Sequence, residues 1–320
     1  MDIIYLITGI LLLTIGGEIL IRGALSASNR MSISPLLSGL LIVGFGTSSP
    51  ELAVSIEAAL SSSPDISIGN VIGSNISNVL LILGICAIIT PMAVKPSALS
   101  RDGAVVLGST LVLMVMIAGG ILGRLDAAIL LTLLAAYLFW AYRSEKGSPD
   151  SPAAEVHIAE AEEIKKKPSG IPVIILSIVG GLILLIGGSN VLLKGAIGIA
   201  ESYNISEAVI GLTLVAVGTS LPELSISVLA AFRKHTDVAI GNILGSNIFN
   251  VLGILGVSAF MQPLTVNTRI LAFDQWVLLG LSLLIMLFLY TGRKLSRWEG
   301  GVLFLGYVAY ILVSFTLFPG

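Results

Sequence analysis

The sequence predicts an all-α polytopic membrane protein with ten transmembrane helices, arranged as two inverted five-helix repeats. The first observation is composition: 55% of the 320 residues are hydrophobic and only 11% are charged, whereas soluble domains carry about 25% charged residues. The second is a series of apolar segments near the length of about 20 residues that crosses a bilayer. The third is a polar motif that occurs twice. Such long apolar runs exclude soluble α/β folds and membrane barrels.

Ten apolar segments divide into two sets of five, separated by one long polar stretch. They lie at 3–21, 35–60, 66–90, 103–122, 125–142, 171–193, 206–231, 238–262, 271–291 and 299–318. We therefore expect a first repeat at 1–142, a linker at 143–170 and a second repeat at 171–320. The linker is rich in Glu and Lys and offers too little apolar material for a core, which predicts a solvated connection.

The distribution of basic residues predicts the orientation. Of 17 Lys and Arg residues, 14 fall on one side of a ten-span chain and only Arg124, Lys194 and Arg269 on the other. Because cytoplasmic loops carry the excess of positive charge, we expect a multi-pass protein of the cell (plasma) membrane, with both termini outside and the linker cytoplasmic. No basic region precedes the first apolar run, so it is expected to be a retained span. The net charge of −2 gives no support to nucleic-acid binding, and no protein partner is predicted.

The two halves of the chain are related by an offset of 172 residues. Residues 46–59 match 218–231 at nine of fourteen positions, and residues 65–85 match 237–257 at fourteen of twenty-one. Since each repeat has an odd number of spans, the second is expected to lie upside down in the membrane. Inverted halves with interrupted helices near the midplane are typical of secondary transporters.

The first shared motif places an acid and a proline within an apolar span. It reads GTSSPE at 46–51 and GTSLPE at 218–223. An ionisable residue at membrane depth costs about 2.5–3.5 kcal/mol on insertion scales and usually marks an ion or substrate path. Each proline lacks an N–H, so the carbonyls of Gly46 and Gly218 are expected to lose their helical partners.

The motifs together supply oxygen atoms rather than nitrogen or sulfur. Thr47, Glu51 and Ser55 recur every four residues, as do Asn70, Ser74 and Asn78 in the next span, and both series repeat in the second half. Carboxylate, hydroxyl and amide oxygens suit hard cations such as Ca²⁺. Two carboxylates give a charge of −2, which one divalent or two monovalent cations would neutralise. A single Ser or Thr of this kind more often bonds its own helix.

These motifs resemble those of the calcium/cation antiporter superfamily, in particular the prokaryotic sodium/calcium exchangers. The resemblance rests on GTSSPE with GNVIGSNISN at 69–78, and on GTSLPE with GNILGSNIFN at 241–250. It implies that the chain is no enzyme, needs no cofactor, and exchanges calcium for sodium by alternating access at a central site. The implied ion ligands are Glu51, Glu223, Thr47, Thr219, Ser48, Ser220, Ser74, Ser246, Asn78, Asn250, Gly44 and Ala216.

Some features leave alternatives open. Asn250 stands where sodium/calcium branches often have aspartate, which puts a potassium site in doubt and bears on proton coupling. A calcium/proton exchanger of the same superfamily is the nearest alternative, although its motifs differ from GTSxPE, and a passive cation channel is another. An intramembrane protease is disfavoured because no span contains histidine. Glu57 and Glu18 lack acidic counterparts in the second repeat, and a role for either in ion binding is left open.

Overall fold

The structure is a computed structural model that describes residues 1–31, 35–60, 64–93, 96–145, 170–202, 218–291 and 294–317. The first half contains helices α1 (Asp2–Met31), α2 (Pro35–Ser38), α3 (Phe45–Thr47), α4 (Ser49–Leu60), α5 (Pro64–Ser77), α6 (Gly84–Ile89), α7 (Pro96–Ile117) and α8 (Arg124–Glu145). The second half contains α9 (Ile171–Ser202), α10 (Leu221–Phe232), α11 (Thr236–Ile248), α12 (Leu255–Met261), α13 (Gln275–Thr291) and α14 (Arg297–Leu317).

Short π-helical segments and strands complete these elements. The π-helical segments π1 (Gly39–Gly44), π2 (Asn78–Leu83) and π3 (Phe249–Ile254) join helices end to end, and π4 (Ile270–Asp274) leads into α13. The two-residue strands are β1 (Met92–Ala93), β2 (Ile121–Leu122), β3 (Leu264–Thr265) and β4 (Lys294–Leu295). Because π-helical turns often occur at functional sites, the position of π1, π2 and π3 next to polar motifs is relevant to the site below.

The helices confirm a multi-pass membrane protein. Within the described residues, six helices are long and apolar enough to cross a bilayer, and a seventh span results if the bent pair Gly39–Thr47 and Ser49–Leu60 is counted as one. The predicted ten spans stay a prediction, because the predicted segments 103–122 and 299–318 are not among these helices and half of the predicted segment 206–231 lies outside the described residues. The linker beyond Glu145 also lies outside them.

Helices α1 and α9 are longer than the sequence patterns indicated. The apolar patterns ended at residues 21 and 193, before the charges of Arg22 and Lys194, but the helices continue to Met31 and Ser202. At 1.5 Å per residue, the 30 residues of α1 extend about 45 Å, more than the ~30 Å hydrocarbon core. Arg22 remains compatible with the helix because it pairs with Glu18 one turn earlier, at 2.8 Å.

An antiparallel contact between α1 and α9 depends on glycine. A Cβ at Gly16 would lie 2.8 Å from the Leu184 Cβ, and a Cβ at Gly181 would lie 2.8 Å from the Leu20 Cβ. Real Cβ atoms do not approach so closely, so the absence of a side chain lets the two backbones meet. Small residues serve such close approach in membranes, where lipid provides no hydrophobic drive for helix association.

The most buried helices lie at the centre and carry the second polar motif. In the 18-residue apolar stretch of each span, 72% of the residues are buried in Ile66–Ile89 and 83% in Thr236–Met261. The corresponding fractions are 28% in α1 and 22% in Ile171–Gly195. Large apolar side chains such as Ile7 and Leu176 are exposed on α1 and α9. This distribution fits a lipid-facing pair of helices outside a polar centre.

Contacts between the two halves follow the repeat. Strand β1 pairs with β4, and β2 pairs with β3, both antiparallel. At the offset of 172, β1 corresponds to β3, and the last residue of β2 corresponds to the first residue of β4. The β1–β4 pairing in one place is therefore the counterpart of the β3–β2 pairing in the other. The hydroxyls of Thr110 and Ser282, themselves 172 residues apart, lie 3.1 Å from each other.

Candidate cation site

Both GTSxPE motifs break their helix at the second hydroxyl residue. Ser48 has φ −79° and ψ 10°, and Ser220 has φ −87° and ψ 8°. The helical direction changes by 46° between Gly39–Thr47 and Ser49–Leu60. The proline two residues later explains the break, because it cannot donate to the preceding turn. Consequently Thr47 and Glu51 lie on opposite sides of a bend, and the predicted continuous face through Thr47, Glu51 and Ser55 is interrupted.

The two motifs exchange hydrogen bonds across the centre of the protein. The Ser48 hydroxyl donates to Oε1 of Glu223 at 2.9 Å, and the Ser220 hydroxyl donates to Oε1 of Glu51 at 3.0 Å. Each glutamate side chain is only about 1% exposed. The sequence predicted that these four residues would form one site, and the structure brings them together with each serine bonded to the glutamate of the other half.

Four buried oxygens of the predicted ligands have no hydrogen-bond donor among the described residues. They are Oε2 of Glu51, Oε2 of Glu223, Oδ1 of Asn78 and Oδ1 of Asn250. Burying an unpaired acceptor costs about 1–3 kcal/mol, and more when it is charged. Within the described part of the chain, neither glutamate has an ion-pair partner. A hard cation bound between the two glutamates would satisfy their unpaired oxygens and the charge of −2.

The threonine and glycine of the first motif are bonded within the protein. The Thr47 hydroxyl donates to the Val43 carbonyl at 3.0 Å and lies 3.1 Å from Oδ1 of Asn242. The Gly44 carbonyl, a predicted backbone ligand, accepts from the Ser246 hydroxyl at 3.1 Å. The Gly44 carbonyl also accepts from the Ser48 backbone N–H at 3.3 Å, so both of its lone pairs are engaged, whereas the Thr47 hydroxyl oxygen keeps its lone pairs. A Cβ at Gly44 would lie 2.9 Å from the Asn242 carbonyl oxygen, so glycine permits this contact.

The remaining predicted ligands are Ser74, Ser246, Thr219 and Ala216. Ser74 and Ser246 are buried on α5 and α11. Thr219 is partly buried in the turn before Ser220. Ala216, the remaining predicted backbone ligand, lies outside the described residues.

Four asparagines cross-link the two halves. Nδ2 of Asn78 donates to Oδ1 of Asn247 at 3.0 Å, and Nδ2 of Asn250 donates to Oδ1 of Asn75 at 2.9 Å. Asn75 also donates to the Asn247 carbonyl at 3.1 Å. The sequence analysis proposed Asn78 and Asn250 as ligands but did not recognise Asn75 and Asn247. The repeated GSN triplet was the available signal, since both residues end it.

Asn70 and Asn242 support the glutamate-bearing helices instead of facing the unpartnered oxygens. Asn70 donates to the Glu51 carbonyl at 3.2 Å and to the Ser55 hydroxyl at 3.0 Å, and Asn242 makes the same pair of bonds to Glu223 and Ser227. The predicted stripe of Asn70, Ser74 and Asn78 therefore divides. Its first member holds the backbone of α4, and its last member reaches the second half of the chain.

The two acids without acidic counterparts lie in different surroundings. Glu18 pairs with Arg22 at 2.8 Å and with Arg233 at 3.1 Å. Glu57 is exposed near the end of α4. The unpartnered carboxylate oxygens at the centre belong to Glu51 and Glu223.

The model of the family described as sodium/calcium exchanger protein matches residues 1–143 and 173–316. The chain belongs to the sodium/calcium exchanger family. This is a family of transporters, and the match covers both halves of the chain, including each polar motif.

Full-length relatives and solved structures agree with this membership. The chain is 32% identical to the sodium/calcium exchanger MaX1 of Methanosarcina acetivorans over 346 residues, covering 99% of each protein. It is 32% identical to the inner membrane protein YrbG of Escherichia coli, covering 98% of this chain and 97% of YrbG. A structure of the sodium-calcium exchanger NCX_Mj superposes on this chain with a TM-score of 0.83 at 32% sequence identity. The superposition covers 97% of this chain and 98% of NCX_Mj.

Proposed function

We propose that this chain is a secondary active antiporter that exchanges calcium for sodium by alternating access at the Glu51–Glu223 site. The observation that carries the proposal is the set of four buried, unpartnered oxygens contributed equally by the two halves. The names of MaX1 and NCX_Mj as sodium/calcium exchangers support the choice of ions.

The charge of the site provides the basis for exchange. Two carboxylates are neutralised by one Ca²⁺ or by two Na⁺, so either kind of ion relieves the cost of two buried negative charges. Because both ions use the same oxygens, binding of one excludes the other. The serine hydroxyls that bond the glutamates can rotate, so each can turn an oxygen lone pair toward a bound cation.

Two inverted repeats would place this site at the interface between halves, as in other transporters built on that plan. The reciprocal bonds of Ser48 and Ser220 support the proposed symmetry, as do the counterpart strand pairings. The separate family matches to 1–143 and 173–316 support repeats at 1–142 and 171–320. We infer ten spans, five in each half.

We further propose residence in the plasma membrane with both termini outside and the 143–170 linker cytoplasmic. The excess of Lys and Arg on one side of the ten-span arrangement supports the orientation. The similarity to YrbG, which is named an inner membrane protein, supports the membrane.

Uptake of ⁴⁵Ca²⁺ into proteoliposomes tests the function when sodium, potassium and proton gradients are imposed separately. We expect uptake when sodium is trapped inside, and no more than background uptake with a proton or potassium gradient alone. Uptake driven by protons would identify a calcium/proton exchanger. Uptake that requires no opposing gradient would identify a channel. Either result would contradict the proposal.

A further inference from the structure

The two carbonyls freed by the motif prolines receive hydrogen bonds from different places. In the first half, the Gly46 carbonyl accepts a backbone N–H at the end of α3 and the Ser49 hydroxyl at 2.7 Å, from three residues away in the same motif. In the second half, the Ser189 hydroxyl donates to the Gly218 carbonyl at 2.8 Å from a different helix, α9. Ser189 is about 5% exposed, so water is not a ready substitute for its hydroxyl.

The repeats differ in sequence at the two positions that decide this arrangement. At an offset of 172, Ser49 corresponds to Leu221, and Ser189 corresponds to Gly17. The first half thus has a hydroxyl within the motif but none at the equivalent position of its long helix α1. The second half has a hydroxyl on its long helix α9 but none at the equivalent position of its motif. This complementary exchange indicates that a donor for the carbonyl is required, while its origin differs between halves.

Helix α9 also packs against both motif glycines. A Cβ at Gly46 would lie 2.7 Å from Cδ2 of Leu182, and a Cβ at Gly218 would lie 2.8 Å from Cδ2 of Leu193. Gly17, the counterpart of Ser189 on α1, faces α10 instead, because a Cβ there would lie 2.9 Å from Cδ2 of Leu229. The two halves of the site are therefore supported unequally.

We propose that Ser189 is a positioning residue that fixes the Gly218–Glu223 turn to α9. Its hydrogen bond holds the carbonyl at the start of a turn that carries Ser220, which bonds Glu51, and Glu223, which contributes an unpartnered oxygen. The placement of α9 and the geometry of the second half-site thus depend on each other, whereas the first half-site is closed by its own Ser49. This inference rests on the proposed function.

Equilibrium binding of ⁴⁵Ca²⁺ to the purified, full-length protein tests the inference apart from transport. Ser189→Ala leaves the Gly218 carbonyl buried without a donor, and we expect a five- to tenfold weaker apparent affinity, about the effect of one buried hydrogen bond. Adding Leu221→Ser to Ser189→Ala places a hydroxyl at the counterpart of Ser49 and should restore the affinity. Ser202→Ala is the control, because this exposed serine of α9 bonds the Ile199 carbonyl of its own helix, and its affinity should match that of the wild type.

Several results would overturn the inference. Unchanged affinity in Ser189→Ala would show that the bond does not position the site. A loss that Leu221→Ser fails to recover would assign the effect to packing of α9 instead of the carbonyl. If Ser189→Ala lowers the yield of folded protein, that yield is measured in place of the affinity. Recovery of the yield by Leu221→Ser would support the inference, and no recovery would contradict it. A wild-type protein that binds no Ca²⁺ would instead refute the proposed function.

Discussion

Neutralising one central carboxylate by Glu51→Gln should nearly abolish calcium binding. Glu51 is about 1% exposed, and its Oε2 has no donor among the described residues, so a bound cation would supply its missing partner. Removing one member of a buried charge pair costs about 3–5 kcal/mol. At about 1.4 kcal/mol per factor of ten, this corresponds to a loss of affinity of roughly 10²- to 10³·⁵-fold.

The matched control for this substitution is Glu57→Gln on the same helix. It removes the same charge from an exposed position and leaves the central oxygens intact. Any general effect of losing a negative charge on α4 should therefore appear in both variants. Isothermal titration of purified protein with Ca²⁺ measures both affinities. An affinity of Glu51→Gln within threefold of the wild type, or an equal loss in Glu57→Gln, would refute the reasoning.

Three other substitutions test the remaining parts of the account. Asn250→Asp replaces the amide that donates to Asn75 with a carboxylate, which loses about 0.5–1.5 kcal/mol for the hydrogen bond. It should nevertheless strengthen Ca²⁺ binding, because negative charge near a buried cation is favourable; weaker binding in the same titration would place Asn250 away from the ion. Gly16→Ala forces a Cβ to 2.8 Å from Leu184 and should lower the thermal unfolding midpoint by several degrees, since overpacking costs about 1–3 kcal/mol. Gly180→Ala on the facing helix, where a Cβ meets nothing within 4 Å, should not lower it, and equal midpoints for both variants would argue against a tight contact. A cysteine at Lys165 should react with a membrane-impermeant maleimide in inverted vesicles and not in intact cells; the reverse pattern would overturn the proposed orientation.

The sequence was sufficient to predict the membrane class and the residues that meet at the centre. Composition predicts spans because the bilayer accepts little charge, and the repeat predicts pairing because Glu51 and Glu223 stand in matching motifs. Each acid is costly at membrane depth unless it has a function. The structure brings both to one place, together with Ser48 and Ser220.

The partners of individual atoms could not be predicted from periodicity. That Ser48 bonds Glu223 instead of Glu51 depends on how the halves pack, and the bend at Ser48 removes the regular face that a straight helix would present. The prolines cannot donate to the carbonyls of Gly46 and Gly218, but the Gly46 carbonyl accepts another backbone N–H at the end of α3, and the donor from Ser189 to Gly218 lies 29 residues away in sequence. No local pattern identifies such a contact.

Helices α1 and α9 continue beyond the ends of the predicted apolar segments. Those segments end before Arg22 and Lys194, because a single unpaired charge is unfavourable in lipid. In the structure Arg22 pairs with Glu18, and the Lys194 ammonium lies 5.0 Å from the centre of the Tyr5 ring. A paired or aromatic-supported charge can lie on a helix that continues past the membrane boundary.

The central claim is that Glu51 and Glu223 bind one transported cation between them. Anomalous diffraction from crystals grown with Sr²⁺ in place of Ca²⁺ tests it directly, because the ion is located independently of the protein model. We predict a principal anomalous peak within about 2.8 Å of a carboxylate oxygen from each glutamate, a little longer than the 2.3–2.6 Å of calcium–oxygen contacts. A principal peak that touches neither glutamate, or a central site without a peak at saturating Sr²⁺, would contradict it.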